Sequence, residues 1–544
     1  MGLQMSLRHQ SLGPVPEEIQ RWAEHNTGNE IVAFANQFSD TFDWDDFSEM
    51  YSALGQPAIH PVILATISIL QMMENLSDRQ AIEAVNTRLD WKYILRQGLG
   101  RVSFDHTSLV RFRNRLCQAG LEDLILNKLL HASEERGLLK HWKQRTDGTH
   151  VCANIRNLNR VERIHEALRF ALNAIIKECP EWFMRINEHN WCEKYDRPAY
   201  NFKAPKNEKK RDNLVLEMGR DGFKLLQLID SSGLPELSAV EILRKIWEQQ
   251  FIEEGSGVVL RTNDQSPAPA ERIISPHDTD ARCGRKDTKT WMGYKVHITE
   301  TCEDTAPRLI TNVEATAATV DDTEMLAQIH DSLRSKGLKP ERHLVDAGYT
   351  DSDTMYRSER QLGITVVGPS RQGNSWQAAE GKGFDLPNFK IDFQKREAVC
   401  PNGVISRHWY DRTDEKSVLV KFDKESCLKC PFRSDCTKSA KGPRTLVIKI
   451  GELFQYLAEC RLRETTTEFK KEYAQRSGIE GTHSQAVRRS GLRFARYSGL
   501  AKTRLQALLT CAGLNVLRLA NWLLQKPLSR TRQTRMKKLS MAAA

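Results

Sequence analysis

The chain has 544 residues, of which 40% are hydrophobic, and carries a formal net charge of +10. This length exceeds the size at which a single core keeps growing, so we expect several domains. No apolar run approaches the roughly 20 residues of a membrane span, and the first residues, MGLQMSLRHQSLGPVPEEIQRW, lack the apolar stretch of a signal peptide. Twelve cysteines, mostly scattered singly, fit a reducing compartment, so we expect a cytoplasmic protein with no membrane partner.

The positive charge is concentrated at the carboxyl end. Residues 487–544 contain 13 Lys or Arg and no Asp or Glu, so this segment carries +13 and the remainder about −3. Such asymmetry favours a polyanionic partner, most simply nucleic acid. The alternative is a solubilising tail.

Residues 1–140 have the pattern of a helical domain. HPVILATISILQMME is apolar along most of its length, and SDRQAIEAVNTRLDWKYIL follows with Ser77 as an N-cap. The next segment, SFDHTSLVRFRNRL, brings Arg111, Arg113 and Arg115 close together. A bundle ending in an Arg-rich helix predicts DNA contacts by Arg111 and Arg113, although a solvated helix face has the same composition.

The segment KQRTDGTHVCANI, residues 143–155, favours a strand but carries Asp147 and Gly148 in its middle. A buried carboxylate needs a partner, which can be Lys or Arg, backbone donors or a divalent cation. Residues 156–255 then show helical spacing of apolar residues.

Strand signals return after a Ser/Pro/Ala-rich linker. MGYKVHITETC alternates in polarity, DDTEMLAQIHDSLRSKGLKP is a capped helix, and ERHLVDAGYTDSDTM combines a buried strand with a Gly turn. This order predicts an α/β sheet. Asp346 ends the strand HLVD, where ligands collect in open α/β sheets; the alternative is a turn or capping Asp.

Residues 371–460 contain a cysteine cluster among polar turn residues. Cys400, Cys427, Cys430 and Cys436 follow the pattern C-x26-C-x2-C-x5-C. Four thiols of this kind are enough for tetrahedral Zn²⁺, and the segment lacks apolar residues for a core, which a structural metal would offset. Free thiols and an iron–sulfur cluster are the alternatives.

Near the carboxyl end, Tyr473, Arg476 and Glu480 are spaced three and four residues apart. On a helix they would share one face and present a hydroxyl, a cation and a carboxylate. The simpler interpretation is an Arg–Glu ion pair on a helix surface.

The ordered set of features resembles the DDE transposases of bacterial insertion sequences. The matching motifs are TDGTHV around Asp147, GYKVH at 293–297, VDAGY around Asp346, and Y-x2-R-x3-E at Tyr473, Arg476 and Glu480. In that family a Lys follows seven residues after the Glu, whereas this chain has Val487 there, followed by Arg488 and Arg489.

The resemblance implies an α/β RNase-H-like catalytic core, a mixed sheet with flanking helices, preceded by an all-α amino-terminal domain. The core would comprise the first strand at 141–155, residues 275–370 and carboxyl-terminal helices at 461–525. A helical insertion at 156–255 and a Cys-rich insertion at 371–460 would interrupt it. A helical DNA-binding domain would occupy 1–140 and a basic tail 526–544.

The resemblance further implies that Asp147, Asp346 and Glu480 are catalytic and bind Mg²⁺ or Mn²⁺, two ions in all. Such ions would support nicking of an element end by water and then attack of the freed 3′ hydroxyl on target DNA. The partners implied are double-stranded DNA, as terminal inverted repeats and target, and a second copy of the chain, in a nucleoid-associated complex. The DNA-contact residues expected are Tyr473, Arg476, Lys295, Arg488 and Arg489.

Two other functions use the same features. A metal-dependent nuclease or phosphohydrolase would need the carboxylates but not the basic carboxyl end. A non-catalytic DNA-binding protein derived from a transposase would need only the basic surfaces.

Overall fold

The computed structural model describes residues 12–51, 59–102, 104–186, 190–255, 257–370, 376–380, 382–412, 417–449, 451–527, 535, 536 and 539. Most of the basic tail predicted at 526–544 lies outside these residues. None of the helices in the described ranges combines the length and the apolar character that crossing a bilayer requires.

The α-helices of the described residues are distributed along the whole chain. They are α1 (Glu17–Glu24), α2 (Glu30–Phe38), α3 (Pro61–Met73), α4 (Asp78–Thr87), α5 (Leu89–Ile94), α6 (Thr107–Gln118), α7 (Leu124–Glu135), α8 (Arg160–Glu178), α9 (Pro180–Ile186), α10 (Trp191–Tyr195), α11 (Glu208–Asp230), α12 (Ser238–Gln250), α13 (Asp322–Ser335), α14 (Ser352–Leu362), α15 (Trp376–Glu380), α16 (Lys424–Leu428), α17 (Arg433–Cys436), α18 (Glu452–Thr465), α19 (Thr467–Tyr473), α20 (Ile479–Arg488) and α21 (Leu500–Leu523).

The β-strands form one larger sheet and three small ones. They are β1 (Lys143–Cys152), β2 (Phe251–Glu254), β3 (Gly257–Leu260), β4 (Arg282–Lys286), β5 (Lys289–Thr301), β6 (Ile310–Ala317), β7 (Arg342–Leu344), β8 (Thr365–Val367), β9 (Lys390–Asp392), β10 (Glu397–Val399), β11 (His408–Arg412), β12 (Ser417–Lys421) and β13 (Thr445–Lys449). The larger sheet has six strands in the order β4-β5-β1-β7-β8, with β6 also paired to β5. Strands β1, β7 and β8 are parallel, while β4 and β6 run antiparallel to β5. The expected mixed sheet with flanking helices and a helical amino-terminal region is therefore confirmed; the RNase-H-like assignment and the two insertions stay predictions.

The described residues divide into two compact units. The first takes its residues from Met1–Lys140, Gly148–Val320 and Glu480–Ala544, and the second from His141–Asp147 and Asp321–Ile479. Strand β1 contributes to both, because its first half pairs with β7 in the second unit.

In the first unit, helices α2, α4, α8 and α11 begin at a side-chain cap, and the helices bury apolar faces. Ser77 caps α4 as expected, in a capping box with Gln80. Helix α21 is buried along most of its length and approaches α3 closely at Gly513, where an added Cβ would lie 2.8 Å from the Cβ of Met73. The helices α8 to α12 have a hydrophobic core of their own around Leu168, Leu243 and Trp247.

In the second unit the Cys-rich segment forms small antiparallel sheets, β9 with β10 and β11-β12-β13. The expectation that this segment lacks apolar residues for a core was wrong. A buried cluster contains Phe389, Ala398, Val418, Val420, Phe422, Leu446 and Ile448, with Cys400, Cys427 and Cys436 packed against it. The alternation along β12 and β13 supplies this core, because every second side chain faces inward.

Candidate active site

Strands β1 and β7, neighbours in the interior of the larger sheet, bring two predicted carboxylates together. Their parallel register pairs Lys143 with Arg342 and Arg145 with Leu344, an offset of 199 residues. The same offset, carried two residues past the last pair, places Asp147 beside Asp346. Neighbouring strands lie about 4.8 Å apart, so Asp147, in the middle of β1, comes close to Asp346, two residues past the end of β7. The half-buried Asp147 also accepts a hydrogen bond from Nη1 of Arg476, at 3.3 Å from its Oδ2.

A tight turn after β7 fixes Asp346. The backbone N–H of Gly348 donates to Oδ1 of Asp346 at 2.8 Å. A Cβ added at Gly348 would lie 2.9 Å from that oxygen and 3.5 Å from Oδ2 of Asp322, so glycine leaves room for both carboxylates. Asp322, the first residue of α13, was missed by the sequence reasoning. Its position in the first turn of a capped helix was the available signal, but it could not be told from an ordinary helix-start acid.

Two tyrosines lie among these charges. Burial raises the pKa of the Tyr349 hydroxyl well above its usual range, and Asp322, Asp147 and Asp346 raise it further. Burial also raises the pKa of Tyr473; Arg476 opposes this, while Asp346 and Asp147 add to it. Both hydroxyl groups are therefore within electrostatic reach of Asp147 and Asp346 and stay protonated at neutral pH.

A series of hydrogen bonds between buried polar side chains connects β1 to β7 next to Asp147. The hydroxyl of Thr146 shares a hydrogen bond with Nε2 of His343 (2.7 Å), and Nδ1 of His343 shares one with Nε2 of His330 (2.8 Å). Nδ1 of His330 in turn meets the hydroxyl of Ser358 at 3.0 Å. Burial lowers the pKa of His330 to about 4 and that of His343 well below its usual range, so both rings are neutral at pH 7.

The expectation that Tyr473, Arg476 and Glu480 share one face of an α-helix was wrong. Helix α19 ends at Tyr473, a 3₁₀-helix covers Ala474–Gly478, and α20 begins at Ile479. The guanidinium of Arg145 explains the change in pitch, since its Nη1 donates to the carbonyl of Gln475 at 2.6 Å and its side chain packs against the Cα of Gly478. Arg476 is thereby brought to Asp147 within the second unit.

Two family models match the chain. One, described as a transposase DDE domain, matches residues 399–520, and the other, a transposase domain (DUF772), matches residues 19–115. The two matches support a DDE transposase of an insertion sequence. The first match includes Tyr473, Arg476 and Glu480, whereas Asp147 and Asp346 lie outside both. Neither a search of curated proteins nor one of solved structures gave a match to this transposase.

The predicted third carboxylate and the other predicted DNA-contact residues lie in the first unit. Glu480 is exposed, as the second residue of α20, and Arg488 and Arg489 are exposed at the end of the same helix. Lys295 donates from Nζ to the carbonyl of Val320 at 2.8 Å. Their roles toward DNA and metal stay predictions.

The two arginines predicted on α6 have different environments. Arg111 is exposed, whereas Arg113 is 4% exposed. The guanidinium of Arg113 donates to Oδ2 of Asp78 at 2.7 Å and to Oε1 of Gln71 at 3.3 Å. In this structure Arg113 therefore serves the packing of α3, α4 and α6, and a role in binding DNA stays untested.

The four predicted zinc cysteines of the transposase line one cavity in the second unit, together with Phe422, Arg433 and Arg444. The N–H of Val404 donates to Sγ of Cys400 at 3.3 Å. Burial raises the pKa of the Cys436 thiol; Arg444 opposes this, and the other three cysteines raise it further.

Within the described part of the chain, no three or more His, Cys, Asp or Glu side chains are already placed so that they could hold a metal ion. The chemistry of the donors nevertheless suits metals, since carboxylates are the ligands of Mg²⁺ and thiols those of Zn²⁺. For a metal ion to bind at the carboxylates or at the cysteines, the ligand side chains would therefore have to move closer to one another.

Proposed function

We propose that this transposase binds the ends of an insertion sequence and catalyses metal-dependent DNA cleavage and strand transfer, with Asp147, Asp346 and Glu480 as its catalytic carboxylates. The observation that carries the proposal is the register of β1 and β7, which supports a position for Asp147 beside Asp346. Two like charges on neighbouring strands repel each other unless a cation relieves the repulsion.

Side chains of the second unit would bind the metal ions and the DNA phosphate during the reaction. Asp147 and Asp346 would hold divalent ions, which when bound polarise the phosphodiester and lower the pKa of an attacking water. Arg476, 3.3 Å from Asp147, would orient a DNA phosphate next to the carboxylates. The protonated hydroxyl of Tyr473 would donate a hydrogen bond to the same phosphate. In strand transfer the attacking group is the freed 3′ hydroxyl of the element end instead of water.

The experiment uses purified protein with labelled element-end DNA and either Mg²⁺ or Mn²⁺. We expect nicking and then joining by the wild type, and loss of both in Asp147→Asn and Asp346→Asn with DNA binding retained. Asp331→Asn is the matched control, because Asp331 is an exposed carboxylate that pairs with Arg334 in the same unit. Unchanged cleavage in Asp346→Asn would contradict the site assignment.

Two outcomes would favour the other functions. Nicking without joining would favour a nuclease, and no nicking with any metal would favour a non-catalytic DNA-binding protein. Short inverted repeats flanking the reading frame would support the transposase function independently. The homodimer expected on DNA is tested by light scattering of the protein with two end fragments.

We also propose a structural Zn²⁺ bound by Cys400, Cys427, Cys430 and Cys436. Their convergence on one cavity supports it, because 26 residues separate Cys400 from the other three cysteines in sequence. Metal analysis should give about one equivalent of zinc, lost in Cys430→Ser but kept in Cys192→Ser, an exposed cysteine elsewhere. Less than about half an equivalent in undegraded protein would contradict zinc, and iron with visible absorption would indicate an iron–sulfur cluster.

A further inference from the structure

The turn between β4 and β5 presents a concentration of positive charge in the first unit. The two strands are joined by Asp287 and Thr288 alone, and Asp287 has a φ of +53°. Such a two-residue turn fixes the register of the hairpin. Lys286 consequently lies directly opposite Lys289.

Like charges directly opposite each other destabilise an antiparallel pair, whereas opposite charges stabilise it. Both lysines are exposed, as is Arg285. No ion pair to Lys286 or Lys289 is found among the residues that the structure describes. Lys286 and Lys289 therefore face each other at a position where a Lys–Glu pair would make the hairpin more stable. This unfavourable pairing indicates that the two lysines bind an anionic partner.

The stem of the hairpin is packed, so its tip is held in place. A Cβ added at Gly284 would lie 2.5 Å from the ring of Trp291, which leans across the stem and is 9% exposed. The indole N–H of Trp291 donates to the carbonyl of Tyr294 at 3.1 Å. The Trp291 ring also packs near the His150 ring, with 5.2 Å between the two ring centroids. A binding group on a packed stem loses little conformational freedom when it meets its ligand.

Further cations lie close to the hairpin. Burial lowers the pKa of His150, and the charges of Arg493, Lys289 and Lys286 lower it further. Arg493 is anchored by a hydrogen bond to the hydroxyl of Thr149 at 3.2 Å and by another to the carbonyl of His150. The neutral His150 thus sits within a positive field that extends from the hairpin tip to Arg493.

We propose that the tip of the β4–β5 hairpin binds the phosphodiester backbone of double-stranded DNA, with Lys286 and Lys289 each neutralising a phosphate. This rests on the DNA binding of the proposed function and adds residues that the sequence motifs did not include. Backbone contacts of this kind position DNA without reading its sequence.

The test measures the affinity of the full chain for a labelled duplex between 50 and 200 mM salt. Each lost lysine–phosphate contact lowers the slope of log K against log salt by about one, so Lys286→Gln/Lys289→Gln should lower it by about two. The matched control is Lys209→Gln/Lys210→Gln, which removes the same charge from two exposed lysines at the start of α11. The control should leave the slope within about half a unit of the wild type.

A second variant separates binding from folding. Lys289→Glu creates an opposite-charge pair across the hairpin, so the melting temperature should stay the same or rise while DNA affinity falls roughly tenfold or more. A slope unchanged in the double Gln variant, or a lower melting temperature of Lys289→Glu together with unchanged affinity, would overturn the proposal. Wild-type protein that binds no duplex at any salt would instead contradict the proposed function itself.

Discussion

Two arginine–aspartate pairs differ in the burial of the arginine and in the distance between the charged groups. One arginine fits a role in packing, and the other fits a role in the proposed reaction. In the first unit, Arg113 is almost fully buried, lies 2.7 Å from Asp78 and shares its guanidinium with Gln71. In the second unit, Arg476 approaches Asp147 at a longer 3.3 Å, and both side chains are 18% exposed. In the first pair the guanidinium itself is closed off from solvent and only Asp78 is partly exposed, at 23%, whereas in the second pair the guanidinium is open to water.

The comparison shows what an arginine contributes in each setting. A buried, short pair stabilises the fold, and its loss leaves an uncompensated charge in the interior. A partly exposed, longer pair contributes little to stability, and its guanidinium stays accessible to a phosphate. Both arginines were predicted to contact DNA, and only their environments distinguish them.

Arg476→Ala should show the largest effect on activity. We expect the rate of end nicking to fall on the order of 100-fold, because one charge that stabilises the reacting phosphate is removed. The free energy of unfolding, measured in urea, should change by less than about 1 kcal/mol. Lys471→Ala, which removes an exposed cation from α19, is the control and should keep its nicking rate.

Arg113→Ala should show the largest effect on stability. The free energy of unfolding is expected to fall by about 1.5–3 kcal/mol, since Asp78 and Gln71 both lose the buried guanidinium that donates to them. Arg111→Ala, an exposed neighbour on the same helix, should change it by less than about 0.5 kcal/mol. Equal losses in the two variants would remove the distinction between buried and exposed arginines.

Lowering the pH should weaken the second unit through its buried histidines. The pKa of His330 is about 4 in the folded chain and about 6.5 when unfolded, so the unfolded state binds more protons between these values. This contribution is complete above about pH 6.5 and is lost as the pH falls toward 4, by about 3 kcal/mol in all. Unfolding followed from pH 7 to 5 should show a smaller slope in His330→Asn, while exposed His408→Asn should behave as wild type.

The smallest effect is expected for an exposed pair. Arg21 and Glu17 form an ion pair on α1 in which both side chains are at least 70% exposed. Arg21→Ala should change the free energy of unfolding by less than about 0.5 kcal/mol, and less still in 0.5 M salt. A loss comparable to that of Arg113→Ala would show that exposure does not set the strength of these pairs.

Much of the secondary structure could be predicted from the sequence. Ser77 caps its helix as expected, and the strand predicted at 143–155 is found as β1. These features depend on residues that are close together in the chain. The core of the Cys-rich segment was missed because its apolar residues are spread over short strands that only pair in three dimensions.

The sequence by itself determined the capped helices, the strands and the positions of Asp147 and Asp346, because backbone preference and polarity alternation are local properties. The tertiary structure alone decided which charged groups meet. Arg145 changes the pitch of the chain at Gln475, 330 residues away, and Arg113 is buried against residues of two other helices. Asp322, from α13, comes close enough to act with Asp147 and Asp346 on the pKa of Tyr349. Such contacts form only when distant segments pack, because the free energy of placing a charge depends on everything that surrounds it.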